Sequence, residues 1–170
     1  MAGQFHGKGE MYWQNGNIYL GNFKNGLYNG KGRVDYKALD IQSNQNIDKL
    51  YYEGDFRHGI YHGQGKIEYF NGDIYIGGFC EGKRQGKGKL VMKSKMDDDK
   101  QQEYTEYYDG DWFRDKYEGY GVFNHSIKGV MYQGYWRYGK MHGKGSYRIE
   151  GHQDLVDGIF CDGDLLEIKF

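Results

Sequence analysis

Six histidines and two cysteines are the residues of this sequence best suited to metal binding or catalysis. His6, His62 and His142 each stand directly before a G-x-G tripeptide, at one position of a repeated motif. If each motif forms two strands, any two of these histidines are at least about 19 Å apart, too far to share a metal ion. Cys80 and Cys161 are three motifs apart, about 29 Å, which excludes a disulfide unless the chain folds back. We predict structural or solvated roles for all the histidines, with His58 in a turn and His125 and His152 in connecting loops.

Two stretches come close to the phosphate-binding loop GxxxxGK[ST]. They are GGFCEGKR from Gly77 and GYWRYGKM from Gly134, and both lack the final Ser or Thr that would bind magnesium. The repeated motif already explains their glycines, so ATP binding is not predicted. The acidic run Asp97–Asp99 lacks the alternating ligands and the glycine of a calcium loop. Since no nucleophile pairs with a base either, the sequence predicts a non-enzyme with no metal site and no cofactor.

The motif that must position any functional residue is Y-x-G-x-[FW], which occurs six times. Its first five copies are followed by G-x-G and an apolar residue. The leading residues of successive copies are 33, 23, 33, 24 and 24 positions apart, which gives a period of 23 or 24 with two insertions of about ten residues. Such a period is typical of stacked repeats. The copies begin at Tyr19, Tyr52, Tyr75, Tyr108, Tyr132 and Val156.

Each copy has the pattern of a β-hairpin. Tyr52, Gly54 and Phe56 alternate, so they share one face of an outgoing strand, and Gly63 and Gly65 share one face of the returning strand. The glycine between the two strands supplies the positive φ of a tight turn. Paired glycines leave a bare backbone across which a neighbouring aromatic ring can lie, and we expect the glycines to serve that purpose.

These motifs resemble the MORN (membrane occupation and recognition nexus) repeat, and the resemblance covers essentially the whole chain. It implies an all-β fold, an elongated single-layer antiparallel sheet of stacked β-hairpin repeats that twists into a grooved rod. Two copies depart from the pattern: Asp115 replaces the turn glycine of the fourth, and the last lacks G-x-G and has the apolar residues of a cap. The predicted boundaries of the array are a partial repeat 1–17, repeats 18–50, 51–73, 74–106, 107–130 and 131–154, and a capping partial repeat 155–170.

Composition limits the partners. The chain has 170 residues, 23 basic and 24 acidic, and a net charge of -1, which gives no general attraction to nucleic acid or anionic lipid. With 29 glycines, 18 tyrosines and no proline, the composition fits an ordered but thin β structure. The N-terminal stretch lacks the apolar run of a signal peptide, so we expect a cytoplasmic protein. Opposite the aromatic face, acidic outgoing strands alternate with basic returning strands, which predicts cross-strand ion pairs.

The insertions at residues 37–50 and 93–106 both connect a returning strand to the next repeat. Two interpretations stay open for them. They are either solvated loops or partner-specific elements, because Leu39, Ile41, Ile47 and Leu50 have no evident core to fill.

The aromatic face is the predicted binding surface. A single layer of strands cannot cover both of its sides, so we expect its rings to stay partly open to water. Five repeats would then expose an apolar groove about 48 Å long, enough for a helix of about 32 residues. We expect Phe56, Trp112 and Trp136 to be the anchors. The predicted partner-binding residues are Tyr52, Phe56, Tyr75, Phe79, Tyr108, Trp112, Tyr132 and Trp136.

The sequence thus favours a scaffold that binds an extended or helical segment of a partner protein. The resemblance implies a ciliary, axonemal or cytoskeletal location, since family members occur there. Alternatives are a phospholipid-binding membrane module, which the balanced charge disfavours, and a regulatory subunit of an enzyme. Self-association through the terminal strands of an open sheet is also consistent with the pattern.

Overall fold

A computed structural model of the protein describes residues 4–37, 49–93, 95–97, 102–125, 129–148, 151 and 153–169. The chain divides into two compact units, residues 1–83 and 84–170. The described residues form strands and turns, and among them is no helix that could span a membrane.

The first unit is one antiparallel sheet whose strands follow chain order. Its hydrogen-bonded ladder connects every strand to the next one along the chain. The strands are β1 (Gly7–Tyr12), β2 (Ile18–Lys24), β3 (Leu27–Asp35), β4 (Lys49–Arg57), β5 (Ile60–Tyr69) and β6 (Ile74–Cys80).

The second unit repeats this plan and adds a small hairpin of two short strands. Its larger sheet runs in the order β7, β10, β11, β12, β13, β14, β15, so the predicted all-β fold of stacked antiparallel hairpins is confirmed. The strands are β7 (Lys83–Val91), β8 (Lys95–Asp97), β9 (Gln102–Tyr104), β10 (Glu106–Phe113), β11 (Lys116–His125), β12 (Val130–Arg137), β13 (Lys140–Arg148), β14 (Val156–Cys161) and β15 (Asp164–Lys169).

The core of four hairpins is a tyrosine ring laid across two facing glycines. Gly54 on β4 pairs with Gly65 on β5, and the ring of Tyr52, fully buried, covers both. A Cβ on Gly65 would lie 2.6 Å from the ring and from its hydroxyl, which no side chain tolerates. The hydroxyl donates a hydrogen bond of 2.7 Å to the carbonyl of Asp55, just past the point where the strand pairing shifts register. The ring therefore fills the glycine gap and satisfies a backbone acceptor at an irregularity.

The ring contact recurs at Tyr19, Tyr108 and Tyr132, and the hydroxyl bond recurs in all four other copies that begin with tyrosine. Hydroxyl groups donate to the carbonyl three residues ahead at Tyr19, Tyr75, Tyr108 and Tyr132, over 2.8, 3.0, 2.8 and 2.8 Å. The two glycines of each G-x-G have different roles. The first has a positive φ, as in Gly63 at 64°, while the second leaves room for the ring.

The hairpin turns differ from the expectation in one respect. The residue before the turn glycine also has positive φ, as in His58 at 50° and Asp162 at 51°. Two successive residues with positive φ are typical of the type I′ turn, whose twist matches that of the strands. In the fourth copy both turn residues, Arg114 and Asp115, adopt this conformation without glycine. Asp115 accepts hydrogen bonds at Oδ1 from the backbone N–H and the Nε of Arg84, which explains why a carboxylate occupies this position.

The connecting segments between repeats differ in part from the sequence-based expectations. His125 was expected in a loop, but it is the last residue of β11, is 9% exposed and pairs with Glu106 at 3.0 Å. Within the second insertion, β8 and β9 pair as a hairpin, which is compatible with either interpretation of that insertion. Leu39, Ile41, Ile47 and His152 lie outside the described residues.

Adding one methyl group at Gly65 tests the ring-over-glycine core. Gly65→Ala should lower the free energy of unfolding by about 1 to 3 kcal/mol, because the new Cβ meets the Tyr52 ring. Gln64→Ala is the matched control, since it places the same residue next to Gly65 on β5, where the side chain is exposed and the backbone hydrogen bond to Asp55 is kept. Urea unfolding measures both. Equal stability of the two variants would contradict this account.

Alkaline pH should also weaken the fold. Burial raises the pKa of Tyr19 and Tyr132 to about 12 and raises the pKa of Tyr52 and Tyr108 as well. Their contribution to stability is complete below pH 10, where the unfolded tyrosines are neutral, and is lost as pH rises toward the folded values. Urea unfolding at several pH values should show stability falling above pH 10. Tyr132→Phe should have a smaller decline, whereas equal declines in both proteins would argue against burial as its cause.

Candidate functional site

The eight residues predicted to bind a partner are buried in the structure. Their exposed fractions run from 0% for Tyr52 to 8% for Trp136, so the expectation that these rings stay open to water is wrong. The reason is that each ring covers its neighbour. The ring of Phe56 meets that of Tyr52 edge to face at 5.0 Å, and Phe79 meets Tyr52 at 5.2 Å. The exposed fractions of the other six lie within this range: Phe56 4%, Tyr75 0%, Phe79 4%, Tyr108 0%, Trp112 3% and Tyr132 2%.

A second group of aromatic residues, missed from the sequence, lies above these rings. Tyr28, Tyr61 and Tyr117 stack in parallel on the core tyrosines at centroid distances of 3.8, 3.8 and 3.7 Å. All three occupy the second position after the hairpin turn, and that shared position is a signal the sequence offered. In the first unit Tyr28 and Tyr61 line a pocket of about 450 Å³ together with Phe56 and the exposed Ile60. This pocket opens on the aromatic face of that unit.

A larger groove lies on the opposite face of the first unit. We call it the polar-face groove; its volume is about 1090 Å³. Its floor is a row of glycines that pair strand to strand, and the exposed Leu20 and Ile76 stand among its walls. The alternation of charged residues predicts a solvated surface on this face, and the groove was not expected from it. The glycines of the floor are Gly9, Gly21, Gly32, Gly54 and Gly65.

Charged pairs form the walls of the polar-face groove, as the sequence predicted. Lys31 Nζ lies 2.9 Å from Asp55 Oδ1, and an Arg33 guanidinium nitrogen lies 3.4 Å from a Glu53 carboxylate oxygen. Burial favours the neutral form of Asp55, but hydrogen bonds from Lys31 and from the Gln64 backbone N–H outweigh it and lower the pKa of Asp55. These side chains are partly exposed, so each pair contributes only about 0 to 1 kcal/mol.

The second unit has the same pairing on its polar face. Lys87 pairs with Asp111 at 2.8 Å, and Lys89 pairs with Asp109 at 3.6 Å. A smaller groove of about 290 Å³ is lined by residues of β11, β12, β13 and β14. Its lining includes Tyr120 and Tyr135, whose exposed rings meet edge to face at 5.7 Å. This face therefore presents aromatic as well as charged side chains.

Comparison with known proteins supports the repeat assignment. The MORN repeat family matches residues 1–18, 19–37, 52–74, 75–94, 108–125 and 132–150. The chain is 33% identical over 147 residues, 85% of its length, to alsin of Rattus norvegicus. It is 33% identical over 139 residues, 81% of its length, to alsin of Mus musculus, and 32% identical over the same share to alsin of Homo sapiens. In each case the matched part is 8% of alsin.

Truncating a predicted anchor should damage the fold rather than a free surface. Trp112 is 3% exposed, donates its Nε1–H to the Gly88 carbonyl at 2.9 Å and lies under the Arg84 guanidinium. Trp112→Ser should therefore lower the free energy of unfolding by about 3 to 5 kcal/mol. The control Tyr120→Ser, at a residue 46% exposed, should change it by no more than about 0.5 kcal/mol. Urea unfolding followed by circular dichroism measures both, and a fully stable Trp112→Ser variant would contradict the burial argument.

Proposed function

This chain belongs to the MORN repeat family, and from that premise we propose that it is a non-enzymatic scaffold that binds an extended segment of a partner protein in the polar-face groove. MORN repeats generally mediate interactions with proteins or membranes. The observation that carries the proposal is the groove of about 1090 Å³ with a glycine floor. It replaces the aromatic platform as the proposed contact surface, because the rings of that platform are buried in the fold.

The floor and walls of the groove suit an extended polypeptide. The floor is bare backbone, because a side chain at these glycine positions would point to the aromatic face, where the Tyr52 ring covers Gly54 and Gly65. Another backbone can therefore approach the floor closely. Leu20 and Ile76, 39% and 58% exposed, offer apolar contacts for side chains that point down from the bound segment. The partner's backbone would supply polar groups to the walls, and its alternate side chains would face either the floor or the solvent.

The charges of the walls support a protein rather than a lipid or a nucleic acid. Basic and acidic side chains alternate across the groove, as in Lys31 beside Asp55 and Arg33 beside Glu53. Each acid offsets the attraction of a neighbouring base for phosphate groups. Because the exposed pairs contribute little to stability, a partner that carries charges of both signs can replace them at small cost.

The wider setting is part of the proposal. A cytoplasmic assembly of the cytoskeleton or the cilium fits the family resemblance, and fluorescence of the tagged protein in ciliated cells would test it. A role as the regulatory subunit of an enzyme would place the same groove on a catalytic partner. Both settings need the groove to hold a protein.

Capture from native lysate tests the groove. The full chain carrying Leu20→Asp and Ile76→Asp should lose its stoichiometric protein partner after a high-salt wash, because two charges then stand in the apolar part of the groove. Ile60→Asp is the matched control, since Ile60 is an exposed aliphatic residue of the same unit that lines the aromatic-face pocket instead.

The pattern of loss decides between the two faces. Retention by the Ile60 variant with loss by the double variant supports the polar-face groove. The reverse pattern would place the partner on the aromatic-face pocket and overturn the proposal. Recovery of lipid alone, with flotation on anionic liposomes that is lost at high salt, would favour the membrane alternative.

A further inference from the structure

Three side chains that can bind a metal ion converge at one hairpin turn of the second unit. His142 lies on β13, Cys161 is the last residue of β14, and Asp162 is the turn residue that follows it. One ring nitrogen, the sulfur and one carboxylate oxygen all lie within 4.8 Å of one another. Strand register explains the meeting. Since Gly143 pairs with Phe160, the preceding His142 stands across from Cys161.

One ring nitrogen of His142 lacks a hydrogen-bond partner among the described residues. This atom, Nδ1, is buried. Asp162 Oδ1 is 3.7 Å away, too far for a hydrogen bond. Two ligand atoms on a tetrahedral zinc ion stand about 3.4 Å apart, given metal–ligand distances of about 2.1 Å. The observed spacing is therefore close to that of two atoms that share a metal ion.

The same residue types recur at the other cysteine of the chain. The chain has two cysteines, and both follow the aromatic residue of the motif and precede an acidic residue. Each also stands across from a histidine, because Gly63 pairs with Phe79 in the first unit and so places His62 opposite Cys80. Each pair joins a histidine of one copy to a cysteine of the next, so the spacing among the histidines or between the cysteines does not reveal it.

We propose that His142, Cys161 and Asp162 form a binding site for Zn²⁺, with water as the fourth ligand. Thiolate and imidazole ligands select zinc and similar ions over magnesium and calcium, which prefer oxygen. Arg137 Nη2 lies 3.2 Å from the same oxygen, Asp162 Oδ1. Each carboxylate oxygen has two lone pairs, so Oδ1 can accept from the arginine and also bind the metal.

The geometry distinguishes this site from a catalytic triad. In a Cys-His-acid triad the two ring nitrogens face opposite partners, so the thiol and the carboxylate lie on opposite sides of the ring. Here the thiol and the carboxylate both approach a single ring nitrogen. Convergence on one point is what a metal ion requires.

Cobalt substitution in the full chain tests the site, since Co²⁺ accepts zinc ligands and its thiolate complexes absorb in the near ultraviolet. Cys80→Ser serves as the background, so that Cys161 is the sole thiol. We expect one Co²⁺ per chain with a thiolate charge-transfer band, displaced by Zn²⁺ but not by excess Ca²⁺. Adding Cys161→Ser should abolish the band, and His142→Gln or Asp162→Asn should weaken binding at least about 10-fold, the least that even outer-shell changes cost. Glu81→Gln, the equivalent change at the other cysteine, should leave the Co²⁺ affinity unchanged.

Three outcomes would overturn the proposal. They are the absence of the band while the thiol titrates as reduced, an unchanged band in the His142→Gln variant, and displacement of Co²⁺ by Ca²⁺. Circular dichroism of each variant shows whether the sheet is intact. Zinc should also raise the melting temperature of the Cys80→Ser protein in proportion to the logarithm of its concentration, and should not do so in the Cys80→Ser/Cys161→Ser protein.

Discussion

The contact between a tyrosine ring and two facing glycines determines most of this structure. A sheet with glycines in the middle of its strands loses side-chain packing and gains backbone freedom, both of which destabilise it. Tyr52 offsets this loss at Gly54 and Gly65, because its ring fills the space of two missing side chains and its hydroxyl binds a carbonyl where the strand pairing shifts. Each of four copies therefore fills the glycine gap of its own hairpin with its own tyrosine ring.

This contact also makes the two faces of each sheet unequal. Rings, glycines and stacked tyrosines occupy one face, where a substitution such as Gly65→Ala meets the ring directly. On the other face the side chains between the motif residues are free to vary, and they range from Leu20 to Glu53 to Ile76 at one position of successive copies. Specific recognition requires differences of this kind, so the polar face is the better place for it.

The fold could be predicted from the sequence because its determinants are local. Motif spacing, alternation and turn glycines suffice to place Tyr52, Gly54 and Phe56 on one face of a hairpin. Exposure could not be predicted in the same way, because the burial of Phe56 depends on rings from neighbouring strands. The meeting of His142 with Cys161 likewise depends on the register between one copy and the next, which the motif inside a single copy does not contain.

The hairpin turns are where this architecture can add chemistry without disturbing its core. The first turn residue already adopts a left-handed conformation, and its neighbour's N–H donates to the preceding hairpin, as Gly163 does to the Met141 carbonyl at 2.9 Å. This bond holds the turn against that hairpin whatever the first side chain is, and Asp162 thereby comes close to His142. The polar-face groove uses strand positions instead, in the other unit. The proposed metal site and the proposed partner groove therefore share no residues, so each can be altered without changing the other.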